Sequence, residues 1–263
     1  MHFSQVLAGA AVFCSLTAST LAAPAAGGLP TSFTFPTATK NNVLTVPQNI
    51  APGATFDGKM ESFDRGVSCT GQAEGGAKDA VFILADGATL KNAIIGPNQI
   101  EGVHCLGACT IENVFWPKVC EDALSLKGPG NSKVIGGGAK DASDKVIQHN
   151  GIGNVDISGF AVQNFGKLYR SCGNCKTQGK RTVTIANVLA DQGKVIAGVN
   201  SNFGDVVTLQ NVKMTGVKQL CDRFEGTTSG EPTKIGSGPD GVSCISKEDN
   251  APLGNLSCIS NHM

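Results

Sequence analysis

A short phrase recurs along this chain and constrains its fold more than any other feature. It consists of Thr, an apolar residue, any residue and Asn, and an apolar residue follows each copy. The copies are Thr89–Asn92, Thr110–Asn113, Thr184–Asn187 and Thr208–Asn211, and in two intermediate copies Gly136 and Gly159 replace the Asn. The six marker positions are separated by 21, 23, 23, 28 and 24 residues. Repeats of this length indicate a solenoid of stacked coils.

The residue types around the marker favour β-structure. Short β-rich runs with Gly and Asn at the corners are typical of a parallel β-helix, because each coil buries its inner face only by stacking on its neighbours. An inward-facing Asn at equivalent corners would hydrogen-bond up and down the stack. A β-sandwich is the alternative, but it would need hairpin turns, whereas this phrase repeats in one direction with long turns. We predict an all-β, single-domain, right-handed parallel β-helix.

Four segments can be assigned along the chain. Residues 1–23 carry an apolar stretch, lack Asp, Glu, Lys and Arg, and end in small residues, so they predict a signal peptide and a secreted, extracellular protein. Residues 24–50, rich in Pro, Thr and Ala, are expected to form an N-terminal extension or cap. Residues 51–220 would form the β-helix, and residues 221–263 a disulfide-linked C-terminal tail on the same domain. No later segment is apolar enough to span a bilayer.

Charge is sparse and balanced. Only 16% of the residues are charged, and the formal net charge is zero, whereas an average globular protein has about 25% charged residues. This excludes a polybasic nucleic-acid binder and a disordered acidic tail. We expect no nucleic-acid partner, no membrane partner and a monomer.

Cysteine usage also favours a secreted protein. Ten cysteines include Cys14 in the leader, so nine remain in the mature chain. In an oxidising compartment these predict disulfides with one thiol left over. The close pairs Cys105/Cys109 and Cys172/Cys175 would also suit half of a zinc site or a redox pair, but no second paired motif supports that. Asn255 begins a candidate glycosylation sequon.

Acidic residues are predicted to converge on neighbouring coils. A second strand follows each marker phrase, and its start is read at Glu101, at Glu121, at Lys145 and in a basic stretch that ends at Arg170. Neighbouring coils lie about 4.8 Å apart. Glu101, Glu121 and Asp122 would therefore meet on one face, with Lys145 one coil further and Arg170 on the coil after that.

Clustered carboxylates repel each other unless a cation lies among them. Oxygen ligands suit a hard cation, and Ca²⁺ is the first candidate outside a cell. The alternative is a solvated face on which the acids pair with nearby lysines. Asp122 shares strand parity with Leu124 and Leu126, which should face the core, so we expect Asp122 in the turn before the strand.

The segments QIEGVHC, VCEDALSLKG, DKVIQHNG and GKLYRSCGNC resemble a known family. In a parallel β-helix of this length they are similar to the secreted fungal pectate lyases of polysaccharide lyase family 3, and the resemblance runs from about Phe56 to Asp240. It implies a calcium-dependent enzyme that cleaves the α-1,4-linked polygalacturonate of plant cell walls by β-elimination and releases 4,5-unsaturated oligogalacturonates.

The resemblance also assigns residue roles. The calcium-binding acids of the family match Glu101, Glu121 and Asp122, its catalytic lysine matches Lys145, and its basic residues on the following coil match Lys167 and Arg170. Lys145 would be the general base for the C5 proton, and the permanently charged Arg170 would orient a carboxylate, although sequence leaves these two roles exchangeable.

Further charged residues and two histidines lie near these motifs in the sequence. Lys127 and Lys167 would contact uronate carboxylates or be ordinary surface lysines, and Asp144 would orient Lys145. Glu74 or Asp79, in the preceding loop, could reach the cleft. His104 and His149 fall inside strand-like runs and are expected to be packed or rim residues rather than catalytic ones.

Two rival functions remain. A β-helical pectin hydrolase would need paired carboxylates as acid and base, but its usual Asn-Thr-Asp, Asp-Asp and Gly-His-Gly motifs do not occur in this sequence. A non-catalytic calcium-binding, polysaccharide-binding solenoid would keep the acidic residues. It would have no use for Lys145 and Arg170 on the next coils.

Overall fold

The computed structural model describes residues 27–247 and 250–252. They form an all-β solenoid of about eight coils with parallel strand pairing, which confirms the predicted fold class. The strands are β1 (Asn41–Val43), β2 (Gln48–Ile50), β3 (Thr55–Asp64), β4 (Ala80–Leu84), β5 (Ala88–Ile95), β6 (Glu101–Cys105), β7 (Cys109–Trp116), β8 (Asp122–Leu126), β9 (Ser132–Ile135), β10 (Gly138–His149), β11 (Gly153–Ser158), β12 (Ala161–Ser171), β13 (Arg181–Asn200), β14 (Val206–Glu225), β15 (Thr233–Ser237), β16 (Cys244–Ser246) and β17 (Ala251–Pro252). Two short 3₁₀ helices span Ala77–Asp79 and Ser201–Phe203. The predicted signal peptide, Asn255 and Cys258 lie outside the described residues.

Each coil contributes strand segments to three parallel sheets. Sheet A contains β2, β4, β6 and β8, followed by the last segments of β10, β12, β13 and β14. Sheet B contains the first segments of β3, β5 and β7, then β9, β11, the first segments of β13 and β14, and β16. Sheet C contains β1, the remaining segments of the long strands, and β17. Strand β15 pairs antiparallel with the end of β14 in sheet A.

The repeat marker lies at the corner between sheets B and C. All six marker residues have φ between 50° and 68°, in the left-handed region. Gly and Asn adopt this conformation at the least cost, which explains why these two residue types occupy the marker position. Asn113 donates a hydrogen bond to Asn92 at 2.9 Å, and Asn211 donates one to Asn187 at 2.7 Å. The predicted ladder is confirmed, but its side chains are half-buried rather than inward-facing.

A second set of left-handed corners was not predicted. Asp141, Asn164, Gln192 and Gly216, in the segments that lead from sheet C to sheet A, have φ between 54° and 62°. Asn164 donates to the Asp141 carboxylate at 2.7 Å. Because four different residue types occupy the equivalent positions, the sequence carries no recurrent signal for this corner.

Stacked apolar side chains fill the interior. One row in sheet B is at most 1% exposed and consists of Leu90, Ile111, Val134, Ile157, Ile185 and Leu209. Fully burying such a side chain stabilises the fold by about 1.5–3 kcal/mol. The core is therefore continuous along the stack and holds each coil in register with the next.

Four disulfides cross-link strands and loops of the described residues. They join Cys69 to Cys120, Cys105 to Cys109, Cys172 to Cys175 and Cys221 to Cys244. The disulfide interpretation is therefore confirmed for every described cysteine, and the two close pairs are not halves of a zinc site.

The stack also includes strands in the flanking segments. Strands β1 and β2 lie within residues 24–50, and β15 to β17 lie beyond residue 220. Within the described part of the chain, no helix is long and apolar enough to cross a membrane.

Candidate active site

The first residues of the sheet A strands form a row of acidic and basic side chains. Asp122 of β8 pairs with Lys145 of β10, and Lys145 pairs with Lys167 of β12. The pairing of β6 with β8 places Glu101 at the same position on the preceding coil. Along the stack the row therefore contains Glu101, Asp122, Lys145 and Lys167.

The predicted register is wrong by one residue on the second coil. Asp122, not Glu121, occupies the row, and Glu121 immediately precedes the strand. Asp122 is the first residue of β8, although we expected it in the turn. The prediction failed because Asp122, Ala123 and Leu124 are all buried, so the alternation of inward and outward side chains does not hold where this strand begins.

The acidic side chains are almost completely buried. Glu101, Glu121 and Asp122 are 0%, 2% and 3% exposed. One carboxylate oxygen from each of Glu74, Glu101 and Glu121 lies within 4.8 Å of the others. Among the described residues, Glu121 Oε2 and Asp122 Oδ1 have no hydrogen-bond partner, although both atoms are buried. Buried carboxylate oxygens without hydrogen bonds are costly, and a positive group beside these two atoms would reduce that cost.

Burial makes Glu121 and Asp122 difficult to ionise. It raises the pKa of Asp122 to about 9, against the attraction of Lys145 and with the added repulsion of Glu121. Burial also raises the pKa of Glu121, where Lys145 again opposes the shift and the charges of Glu74 and Glu101 reinforce it. A cation between these carboxylates would favour their ionised forms. A donor set made only of carboxylate oxygens fits Ca²⁺.

Glu101 has partners that keep it ionised. Its Oε2 lies 2.9 Å from His104 Nε2, and its Oε1 accepts a hydrogen bond from the backbone N–H of Gly75 at 3.0 Å. Burial alone would raise the pKa of Glu101, but these bonds and the charges of His104 and Lys127 hold the pKa below its ordinary value. His104 is packed, as expected, but its contact with Glu101 was not predicted.

The spacing of Glu101 and His104 recurs on the next coil. Ser125 lies three residues after Asp122, is 1% exposed, and donates to Asp122 Oδ2 at 3.4 Å. Paired strands align Ser125 with His104 on one side and with Gln148 on the other. This three-residue spacing is the sequence signal that would have indicated a second row of polar side chains beside the acids.

A disulfide-bonded loop places Glu74 in the cluster. The Cys69–Cys120 disulfide joins the loop after β3 to the residue before Glu121. Gln72 Nε2 donates to the backbone carbonyl of Cys120 at 2.8 Å. These two links hold the loop, and hence Glu74, against the start of β8.

The backbone of this loop packs closely against the Glu101 side chain at Gly75. A Cβ atom on Gly75 would lie 2.6 Å from Glu101 Cγ, so any larger residue there would displace the Glu101 side chain or the loop. Asp79, the other acid predicted to reach the cleft, accepts hydrogen bonds from Gly76 N and Lys78 Nζ instead, both at 2.8 Å.

Lys145 lies among carboxylates. Its Nζ is 2.8 Å from Asp144 Oδ2, 3.2 Å from Glu121 Oε1 and 3.5 Å from Asp122 Oδ1. Burial lowers the pKa of Lys145, but the attraction of these three carboxylates outweighs burial and raises the pKa above its ordinary value. The other oxygen of Asp144 accepts a bond from Lys167 Nζ at 2.5 Å. Asp144 therefore bridges the two lysines of the row.

Arg170 is on the coil after Lys145, but its side chain extends toward later coils. Its Nη1 donates to Asn200 Oδ1 at 3.1 Å, and its Cζ lies 3.9 Å from the centroid of the Phe224 ring. The residue is 6% exposed. Burial lowers the pKa of Arg170 to about 10, so the guanidinium remains protonated at neutral pH.

The remaining predicted residues lie at the edges of this arrangement. Lys127 follows β8, is half-buried, and affects the pKa of Glu101 through its charge. His149 is buried away from the acids, and its Nδ1 lies 2.8 Å from the Tyr169 hydroxyl oxygen. Burial, together with the charge of Arg181, lowers the pKa of His149 to about 3, so this imidazole is neutral.

Sequence comparisons give consistent matches to one family. The family model described as pectate lyase matches residues 32–231. Pectate lyase E of Emericella nidulans is 59% identical over 212 residues, which cover 79% of this chain and 82% of that protein. A probable pectate lyase E of Neosartorya fischeri is 56% identical over 221 residues, covering 82% and 85% of the two chains.

A solved structure is similar over most of its fold. The crystal structure of pectate lyase PelI from Erwinia chrysanthemi in complex with tetragalacturonic acid aligns with a TM-score of 0.69 and 32% identity. The alignment covers 79% of this chain and 71% of that one.

Proposed function

The chain belongs to the pectate lyase family, and from that premise we propose that it is a secreted, calcium-dependent lyase that cleaves polygalacturonate by β-elimination. The tetragalacturonic acid in the PelI complex is an oligomer of the proposed substrate. Four disulfides support secretion, because disulfides persist in oxidising compartments. We also propose that the protein acts as a monomer.

One observation carries the proposal: buried carboxylates without sufficient partners lie directly beside a lysine. Glu121 Oε2 and Asp122 Oδ1 have no hydrogen-bond partner among the described residues. Lys145 Nζ contacts both of these side chains, at 3.2 Å and 3.5 Å. A structural ion-pair face on the surface would be solvated, whereas these acids are nearly inaccessible. The combination fits a metal site adjacent to a base.

Glu101, Glu121 and Asp122 would hold the calcium ion. Glu74 is a fourth candidate ligand, because one of its oxygens lies in the same group as oxygens of Glu101 and Glu121. Bound Ca²⁺ would attract a uronate carboxylate and stabilise the negative charge that develops there when C5 loses its proton. The hydrogen bonds from His104 and Gly75 fix the Glu101 carboxylate, as partners of metal ligands generally do.

Lys145 would be the general base. Elimination across C4 and C5 requires removal of the C5 proton, and Lys145 can accept it at Nζ only when the amine is neutral. The three surrounding carboxylates favour the ammonium form, so the active fraction should increase as the pH rises. Asp144 would orient Lys145 through the 2.8 Å contact.

Basic residues would bind and orient the chain of uronates. Arg170 stays charged and has several N–H donors, so it is suited to holding a carboxylate rather than to removing a proton. Lys167, which is bonded to Asp144, and Lys127, beyond β8, would contact carboxylates of neighbouring sugar units. In this assignment Lys145 and Arg170 have different roles, set by their protonation.

The test is the ultraviolet absorbance of polygalacturonate incubated with the protein at mildly alkaline pH. With calcium present, we expect growth of the band of conjugated unsaturated uronides, and excess chelator should abolish it. Reducing ends that accumulate without this band would instead mean hydrolysis. Calcium-dependent binding of polygalacturonate without either product would favour the non-catalytic solenoid.

A further inference from the structure

Arg170 reaches across the next coil through a gap left by a glycine. It pairs with Gly198 in the register between β12 and β13. A Cβ atom on Gly198 would lie only 2.9 Å from Arg170 Cδ. Because Gly198 has no side chain, the arginine can extend over this coil to Asn200 and Phe224.

Asn200 is built to hold a guanidinium in one orientation. It is fully buried. Its Nδ2 donates to the backbone carbonyl of Cys172 at 2.9 Å, which leaves Oδ1 turned toward Arg170 at 3.1 Å. A Cβ atom on Gly226 would lie 2.9 Å from Asn200 Cγ, so the amide is also closely packed. Rotation of the amide would break both hydrogen bonds.

Asp205 fixes the backbone of Asn200. Its Oδ2 accepts a hydrogen bond from Asn200 N at 2.9 Å, and its Oδ1 accepts one from Arg181 N at 2.8 Å. Asp205 is fully buried, and its own backbone N–H donates to the Asn200 carbonyl at 3.3 Å. Asp205 thus closes the turn that begins at Asn200 and links it to Arg181 at the start of β13.

Phe224 restrains the guanidinium in a second direction. It is paired with Asn200 in the register between β13 and β14. The ring centroid lies 3.9 Å from Arg170 Cζ, a distance typical of a favourable cation–π contact. The ring limits displacement of the guanidinium on one side, while Asn200 limits its rotation.

We propose that Asn200 is a positioning residue for polygalacturonate cleavage, which, supported by Asp205 and Phe224, holds Arg170 in the orientation that binds a substrate carboxylate. The inference rests on the proposed function, because the role of Arg170 is assigned there. Asn200 occupies one of the five N–H donors of the guanidinium. Others remain for a carboxylate, which prefers paired N–H donors.

The experiment compares Asn200→Ala with Arg170→Ala and with the double variant. Loss of the tether should reduce kcat/KM by about 10- to 100-fold, as misplacement of a substrate-binding group does. If Asn200 acts through Arg170, adding Asn200→Ala to Arg170→Ala should change kcat/KM by less than about twofold. If the loss of kcat/KM in the double variant equals the product of the two single-variant losses, the proposal is wrong.

Matched variants separate positioning from folding. Asn200→Asp keeps an acceptor beside Arg170 and should recover part of the lost kcat/KM. Asn187→Ala removes a half-buried asparagine of the ladder at the corner between sheets B and C, away from the site in sheet A, and kcat/KM should stay within about twofold of the wild-type value. If Asn200→Ala does not fold, Phe224→Leu in the same double-variant design tests the tether, with the same non-additivity expected.

A second readout does not depend on turnover. Side-chain nitrogen NMR should show a restrained Arg170 guanidinium in the wild-type protein and faster rotation in Asn200→Ala. Unchanged rotation would overturn the proposal even if activity fell. A wild-type protein that forms no unsaturated product would overturn the proposed function itself, whereas an active wild type with multiplicative losses would overturn the positioning role alone.

Discussion

Asp122 and Lys145 are direct partners in the register between β8 and β10, and 3.5 Å separates Asp122 Oδ1 from Lys145 Nζ. One step of the repeat separates them in sequence, so the stacking of coils creates the pair. Glu101 precedes them in the same row, and Lys167 follows. The protonation of Lys145 therefore depends on any other cation that neutralises the acids beside it.

Replacing Lys145 by Ala should reduce polygalacturonate cleavage by about 100-fold or more, because a general base typically contributes that much to the rate. Calcium binding should persist, since the carboxylates remain and lose a competing ammonium. The measurements are unsaturated-product formation by ultraviolet absorbance and calcium titration by calorimetry. Lys133→Ala, an exposed lysine of sheet B, is the control and should retain full activity. Retained activity in Lys145→Ala would remove this lysine from the mechanism.

Calcium should stabilise the fold more at pH 8 than at pH 5. The folded pKa of Asp122 is raised to about 9, whereas an unfolded Asp titrates near about 3.9. Between these values the folded state binds more protons, so the free energy of unfolding falls as the pH rises when no cation is present. A cation that favours the ionised form removes this loss.

Thermal unfolding with calcium or with chelator at the two pH values measures the effect. At calcium concentrations about 100 times Kd, binding adds about 2.7 kcal/mol to the unfolding free energy, or roughly 5–10 °C in Tm. Asp122→Asn is the matched variant, and in chelator its Tm should depend less on pH. An equal calcium effect at pH 5 and pH 8 would contradict the assignment of Asp122 as a ligand.

Replacing Gly75 by Ala should weaken calcium binding about tenfold, the usual cost of disturbing a partner of a metal ligand. The new Cβ would lie 2.6 Å from Glu101 Cγ, so the buried carboxylate or the loop must move. Calorimetric titration with Ca²⁺ measures the change. Gly76→Ala is a close control, because its Cβ would approach no described atom nearer than 3.7 Å, from Asp79 Oδ2. Equal affinities in the two variants would show that Glu101 does not need the Gly75 contact.

Replacing Asn113 by Ala should destabilise the fold by about 2 kcal/mol, from the left-handed φ and the lost ladder bond together. Its φ is 56°, and its amide donates to Asn92 at 2.9 Å. Asn113→Gly removes the bond but not the conformation, so it should cost only about 1 kcal/mol. Denaturant unfolding of the two variants checks the difference. Equal destabilisation would mean that the backbone conformation is not the source of the Asn preference.

The repeat could be recognised because its physical cause is local. Asn92 and Asn113 lie where each coil needs a left-handed corner, and few residue types adopt that conformation cheaply. The second set of corners has the same geometry, yet Asp141 and Gln192 satisfy it with different residue types. A corner whose residues vary leaves no pattern to detect.

The sequence by itself determined the stacked coils, the convergence of Glu101, Glu121 and Asp122, and the basic residues on the next two coils, because the repeat length sets which residues become neighbours. The tertiary structure decided what the repeat does not encode. The register differs by one residue at Glu121, since burial on both faces of the strand start removes the alternation that parity arguments need.

The positions of Glu74 and of the Arg170 side chain depend on features outside the repeat. Glu74 joins the acids through a disulfide between residues 51 positions apart, and Arg170 turns toward Asn200 because Gly198 leaves the space open. Spacing predicts which coil carries a residue. The direction of its side chain depends on contacts with non-repeating loops and on side-chain volume in neighbouring coils, and these arise only when the chain has folded.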